Sequence, residues 1–253
     1  MGPEIIAIAA VAVVVGATLQ RLSGMGVGLV VAPTLALLLG PQLGVYVTNA
    51  TTVCSGVLIM LTVLRDVNWK RWAIFAGVGL VGSIPGALLV RELPSGWLSV
   101  VIGAVVLGAL LLTFTSPRVP HVTGRGVPAL STAAGVLGGF FNTAAGVAGP
   151  VMVIYGRFVR WPQRDFAATM QPTFAFFGLA SVATKTATGA VGVGMLPPLS
   201  LFAALVVAVV VGIGLGTVLA RRVTPEGARR LAVILAGAGA LSALGRGVFE
   251  VLA

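Results

Sequence analysis

Arg21 ends an apolar run and is followed by Ser23, Gly24, Gly26 and Gly28. At a spacing of 120 positions a second interruption reads Asn142-Thr143-Ala144-Ala145-Gly146. A guanidinium presents paired donors to an oxyanion, and hydroxyls and amides add single hydrogen bonds. Glycine leaves backbone N–H groups open to a ligand. Such a set suits small anions. Other chemistry lacks its residues: there is one cysteine (Cys54), one histidine (His121, in a Pro/Arg loop), and no Ser/His/Asp set or metal-ligand cluster. All six carboxylates (Glu4, Asp66, Glu92, Asp165, Glu226 and Glu250) fall at termini or in loops, away from any span where a proton relay or cation site would use them. The chain therefore reads as a binding or transport protein, with no cofactor and no enzymatic activity.

The elements that must position these residues are apolar. Of 253 residues, 58% are hydrophobic and only 9% are charged, with mean hydropathy +1.09. A soluble domain carries roughly 25% charge, so the solvent here is a bilayer. The expectation is an all-α integral membrane protein. The formal charge of +10 is not a nucleic-acid signal, because the basic residues sit in short loops between apolar runs. The segment before the first run has no positive residue, so Ile5–Leu19 is expected to belong to the mature fold.

Ten apolar runs occur at about 4–20, 25–39, 44–64, 72–90, 97–114, 128–142, 146–158, 166–184, 196–220 and 229–249. A full crossing needs about 20 residues. The pairs 4–20/25–39 and 128–142/146–158 are short, and one helix through 4–39 would be roughly 54 Å long. Each pair is therefore expected to fold back on itself. Lys and Arg number three in 65–71, three in 157–165 and four in 221–230, against none in 40–44 and one each in 91–96 and 185–195. Basic loops mark the cytoplasm. This sidedness makes the halves 1–120 and 121–253 two inverted repeats of one membrane domain. Each is a broken or re-entrant helix pair followed by three transmembrane helices, and both termini are extracytoplasmic. Gly26-Val27 and Gly146-Val147, and Arg65 and Lys185, match at a spacing of 120. Gly82/Gly86 and Gly212/Gly216 match at 130 and form small-xxx-small faces suited to close helix contact.

A helix break inside a bilayer survives only where it lines a cavity or is covered by protein. The second short helix of each pair is expected to start near Met25 and near Ala145, with its bare N–H groups and positive dipole end at the break. Two such starts meeting at the membrane centre would cradle a small oxyanion. The candidate substrate-binding residues are Arg21, Ser23, Gly24, Gly26, Asn49, Thr52, Asn142, Thr143, Gly146 and Gln171. Arg21 is placed deep in the membrane; the alternative is that the first helix surfaces there and the guanidinium snorkels. Any single Thr also suits an interhelical hydrogen bond. Lys185 is read as an interfacial anchor and Cys54 as a packed small residue.

Gly24-Met25-Gly26-Val27-Gly28 with Pro33, Gly146-Val147-Ala148-Gly149-Pro150, and Arg91-x-Leu93-Pro94 together resemble the sulfite exporter TauE/SafE family of bacterial anion transporters. Val27 and Ala148 stand where that family often has glycine. The resemblance implies transport of sulfite, or of organosulfonates such as sulfoacetate, across the bacterial inner membrane. Residue spacing alone reaches only "small anion". The expected mechanism is a secondary carrier working by alternating access. The alternatives are an anion channel and a carrier for another small oxyanion or carboxylate. The expected partners are the anion and the bilayer, with a homodimer through lipid-facing glycines possible on composition.

Overall fold

A computed structural model describes residues 2–24, 27–115 and 120–252. Among them are ten α-helices and no strand. In the first half these are α1 (Pro3–Ser23), α2 (Gly28–Leu39), α3 (Pro41–Val63), α4 (Trp69–Glu92) and α5 (Ser95–Thr115). In the second they are α6 (Gly126–Ala145), α7 (Gly149–Phe158), α8 (Gln163–Ala187), α9 (Leu199–Leu219) and α10 (Pro225–Leu252). Six helices are long and apolar enough to cross a membrane: α1, α3, α4, α8, α9 and α10.

Both expected breaks exist, but each lies a few residues later in the chain. Gly24 (φ 72°) and Gly146 (φ 74°) take the left-handed conformation that glycine adopts without strain. Their N–H groups donate to the carbonyls of Gln20 and Asn142, both at 2.9 Å. The two glycines therefore cap the preceding helix instead of opening the next one. Ala145 is the last residue of α6, and α7 starts at Gly149; α2 starts at Gly28. Met25 and Gly26 lie outside the described residues.

The short arms do fold back. Val27 and Val31 pack on Gly16, which sets α2 along α1. In the other pair, Ser131 and Tyr155 share a hydrogen bond of 2.9 Å between their hydroxyls. The Val122 N–H donates to the Phe158 carbonyl at 2.9 Å, so α7 returns to the end where α6 begins. The pairs are lopsided, however. α1 has 21 residues, enough for a full crossing, and α6 has 20, while α2 and α7 have 12 and 10. The expectation of two short arms per pair is corrected: one arm of each is long. The helix α1 continues through Gln20 and Arg21 because α8 and α9 give their polar groups partners, which hydropathy does not register.

Arg21 consequently stands elsewhere than expected. It packs on Gly216, and its Nε donates to Thr217 Oγ1 at 3.2 Å. That is near the end of α9, just before Arg221 and Arg222. It is half-buried near one end of the bundle, not at its middle.

Helix partners are exchanged between the halves: α1 packs on α9 and α4 on α6, while α3 pairs with α8 and α5 with α10. Glycines set these contacts. Gly82 lies against the Val136 carbonyl and Gly212 against that of Val14. At the α3–α8 crossing Gly56 meets the Gln171 carbonyl and Gly178 that of Asn49. Val14 and Val136, Gly24 and Gly146, Asn49 and Gln171, and Gly56 and Gly178 are each 122 positions apart. That spacing differs by two positions from the 120 of the shared Gly-Val dipeptide.

The basic loops gather at one end of the bundle. Arg164 makes a two-pronged ion pair with Asp66 (2.8 and 2.9 Å), and Arg71 lies over the Trp161 ring at 4.2 Å. At the other end Arg246, in α10, donates to the Leu37 carbonyl at 2.9 Å, and Gly96 lies against the Gly247 backbone.

Candidate functional site

The first observation concerns the two short helices. Gly28 and Leu29 at the start of α2, and Gly149 and Pro150 at the start of α7, line one buried cavity of about 10 Å³ together with Gly146, Thr52, Asn142 and Phe174. No side chain caps either helix start, so the N–H groups of Gly28 and Leu29 in α2 and of Gly149 and Val151 in α7 keep their hydrogen-bonding capacity, while Pro150 has no N–H to offer. Gly28 is tightly packed against the Gly146 carbonyl, and a methyl group at position 28 would collide with it. The glycines are there because two backbones meet. A space of this size holds about one water molecule, so an anion as large as sulfite requires the two starts to part.

Each long arm carries a buried amide one turn before its capping glycine. Asn142 Nδ2 donates to Asn49 Oδ1 at 2.9 Å. In return Asn49 Nδ2 donates to the Asn142 carbonyl (3.1 Å) and to Ser181 Oγ (2.8 Å). In the other half Gln20 Nε2 donates to Gln171 Oε1 at 2.9 Å, and Gln171 Nε2 donates to the Ala167 carbonyl at 3.0 Å. Gln20 and Asn142 are again 122 positions apart. Each pair thus ties a long arm of one half to a central helix of the other.

The ten residues singled out in the sequence fall into two groups. Asn49, Thr52, Asn142, Thr143 and Gly146 cluster at the second break, all buried. Thr52 Oγ1 is used up on the Thr48 carbonyl at 2.9 Å, whereas Thr143 Oγ1 is buried without a partner. Arg21, Ser23, Gly24 and Gln171 line a separate cavity of about 250 Å³ at the first break, with Gln20, Asp66 and Arg164. Gly26 lies outside the described residues. Gly28, four residues beyond Gly24, touches Gly146 of the second group.

A second cavity at the first break, about 200 Å³, also reaches Ser23 and Gly24. Arg157, Arg160, Arg229, Gln163 and Trp161 line it, and none of its lining residues is acidic. The sequence reading counted Arg157 and Arg160 only as markers of sidedness. Their convergence with Arg229 brings together residues about 70 positions apart, for which linear spacing gives no signal. Gln20 was readable: it precedes Gly24 by four positions, as Asn142 precedes Gly146. Lys185 is the largest departure, since it is fully buried and its Nζ has no hydrogen-bond partner. An anchor in the headgroups would be exposed. A lysine one residue beyond an apolar run carries no mark of which neighbours will cover it.

The small-residue faces are also assigned. Gly82 and Gly86 pack on α6, and Gly212 and Gly216 on α1, so these four glycines are not free to join a second copy of the chain. No curated protein and no solved structure matches the sequence. The family model for the sulfite exporter TauE/SafE matches residues 8–243. With nearly its whole length covered and its helices arranged as a multi-pass membrane bundle, the chain belongs to the TauE/SafE family of membrane transporters.

Proposed function

We propose that the protein is a secondary carrier for a small sulfur-containing anion, sulfite or an organosulfonate such as sulfoacetate, in a bacterial inner membrane. The observation that carries this reading is the shared cavity: two uncapped helix starts, from two halves of the chain, line it together. Helix starts aimed at one point favour negative charge there. Asn142 adds an amide beside them. The Arg157/Arg160/Arg229 cavity leads to Ser23 and Gly24 and supplies an electropositive approach.

On this reading the two halves are inverted repeats. The swapped amide pairs and glycine contacts support that relation, and the basic end of the bundle is cytoplasmic. Both termini then face the other side. Polar-lined cavities of about 200 and 250 Å³ at the first break, against about 10 Å³ between the helix starts and an apolar hollow of about 320 Å³ on Phe141, Val147 and Pro150 at the second, support a conformation that opens to the cytoplasm. Alternating access exchanges these roles.

The test uses purified protein in proteoliposomes loaded with labelled sulfite. A carrier gives saturable uptake accelerated by sulfite on the opposite side. Flux that rises linearly with concentration and carries current identifies a channel and overturns the carrier mechanism. Parallel runs with thiosulfate, sulfoacetate, sulfate and acetate rank the substrates, and thermal stabilisation by each should follow its affinity.

A further inference from the structure

Lys185 is in the last turn of α8 with no exposed surface, and its ammonium has no hydrogen-bond partner. No ion pair among the described residues includes it, and the six carboxylates of the chain lie at termini or helix ends. A buried lone charge in a membrane protein is expensive and is retained where something pairs with it in use.

Its neighbours place it beside the second break. Ser181, one turn earlier on the same face of α8, accepts from Asn49, which exchanges hydrogen bonds with Asn142. Ala145, the last residue of α6, packs in one cluster with Val45 of α3 and with Ala190, just beyond the end of α8. The Val191 N–H donates to the carbonyl of Lys185 itself at 3.3 Å. Thr143, two residues before Ala145, contributes the other unpartnered buried group of this region. One cation and one hydroxyl are thus held dry, both unmatched, around a break whose helix start already favours negative charge.

We propose that Lys185 is the charge partner of the transported anion: when the second break parts, the oxyanion moves between the helix starts and the ammonium, with Thr143 donating beside it. Arg21, at the bundle end, then serves the approach and Lys185 the binding step. This inference rests on the anion-carrier reading and deepens it.

The experiment compares the full-length wild type with Lys185→Met and Lys185→Arg, using sulfite as the probe. Met keeps the apolar length and removes the charge. Without sulfite, Lys185→Met should melt at or above the wild-type temperature, because an unmatched charge has left the interior. Its apparent affinity for sulfite, read from thermal stabilisation, should fall roughly thirtyfold or more, as for loss of one member of a buried charge pair. Uptake should drop to background, while Lys185→Arg keeps measurable uptake. Should Lys185→Met not be recoverable, Lys185→Gln is measured in the same way. Sulfite stabilisation and uptake equal to wild type in the uncharged variant overturn the role of Lys185 and leave the carrier intact. A wild type that no anion stabilises removes both.

Discussion

The two breaks share one backbone device and differ in everything that surrounds it. Gly24 and Gly146 have φ within 2° of each other and cap their helices through the same hydrogen bond. Around Gly24 the residues 21–24 are half-exposed and two cavities meet, lined by Gln20, Gln171 and five arginines. Around Gly146 every residue from Asn142 to Pro150 is buried, and the amides are asparagines, one methylene shorter, drawn together at 2.9 and 3.1 Å. The same turn opens onto polar cavities in one half and is closely packed in the other. The amide hydrogen bond is equally short at both, 2.9 Å, so the openness is set by the residues around the turn.

The largest effect is expected where α2 begins against the second break. Gly28→Val would drive a side chain into the Gly146 backbone. It should cost about 3 kcal/mol by overpacking and abolish uptake. Gly24→Ala should cost roughly 1–2 kcal/mol, the left-handed penalty, with a tight but yielding contact to the Ala167 methyl. Equal melting temperatures for the two variants would contradict the asymmetry. Next come the amides. Asn49→Ala removes three buried hydrogen bonds and strands Asn142, for a loss of roughly 3 kcal/mol; Gln171→Ala removes two and strands the buried Gln20 amide, but beside a cavity large enough for water, for a loss of roughly 2 kcal/mol. Thermal melts of the two in detergent order them, and a larger loss for Gln171→Ala reverses the assignment of tight and loose ends.

Accessibility sharpens the picture without large energetic change. In a Cys54→Ala background, Ser23→Cys should react with a polar thiol reagent and Thr143→Cys should be protected. Addition of a transported anion should shift both rates in opposite directions. Reaction at equal rates would mean that the two breaks are equally open. The smallest effect is expected at Arg164→Ala: its ion pair with Asp66 has good geometry, but the arginine side chain is 79% exposed, so the loss should stay below about 1 kcal/mol.

The sequence makes the helix order and the existence of both breaks legible, because glycine clusters in apolar runs are strong punctuation. It misplaces their edges. Residues 21–23 were read as hinge because Arg21 is costly in lipid, but α9 covers it through Gly216 and Thr217, and such shelter is a tertiary fact. The Gly-Val dipeptides lie 120 apart, whereas Gln20 and Asn142, and Asn49 and Gln171, lie 122 apart and form amide hydrogen bonds of the same length, residues alike in bonding and different in letter. Lys185 was misjudged for the same reason as Arg21, with the opposite sign: one proved less buried than expected, the other more.

The α3–α8 crossing has a consequence for how such a chain can vary over time. Gly56 rests on the carbonyl of Gln171 and Gly178 on that of Asn49, so the crossing presses on the two residues whose amides hold Gln20 and Asn142. A bulkier residue on either helix of the crossing would disturb both breaks in one step. Two halves fastened in this way cannot diverge independently here; a change inherited in one must be answered in the other.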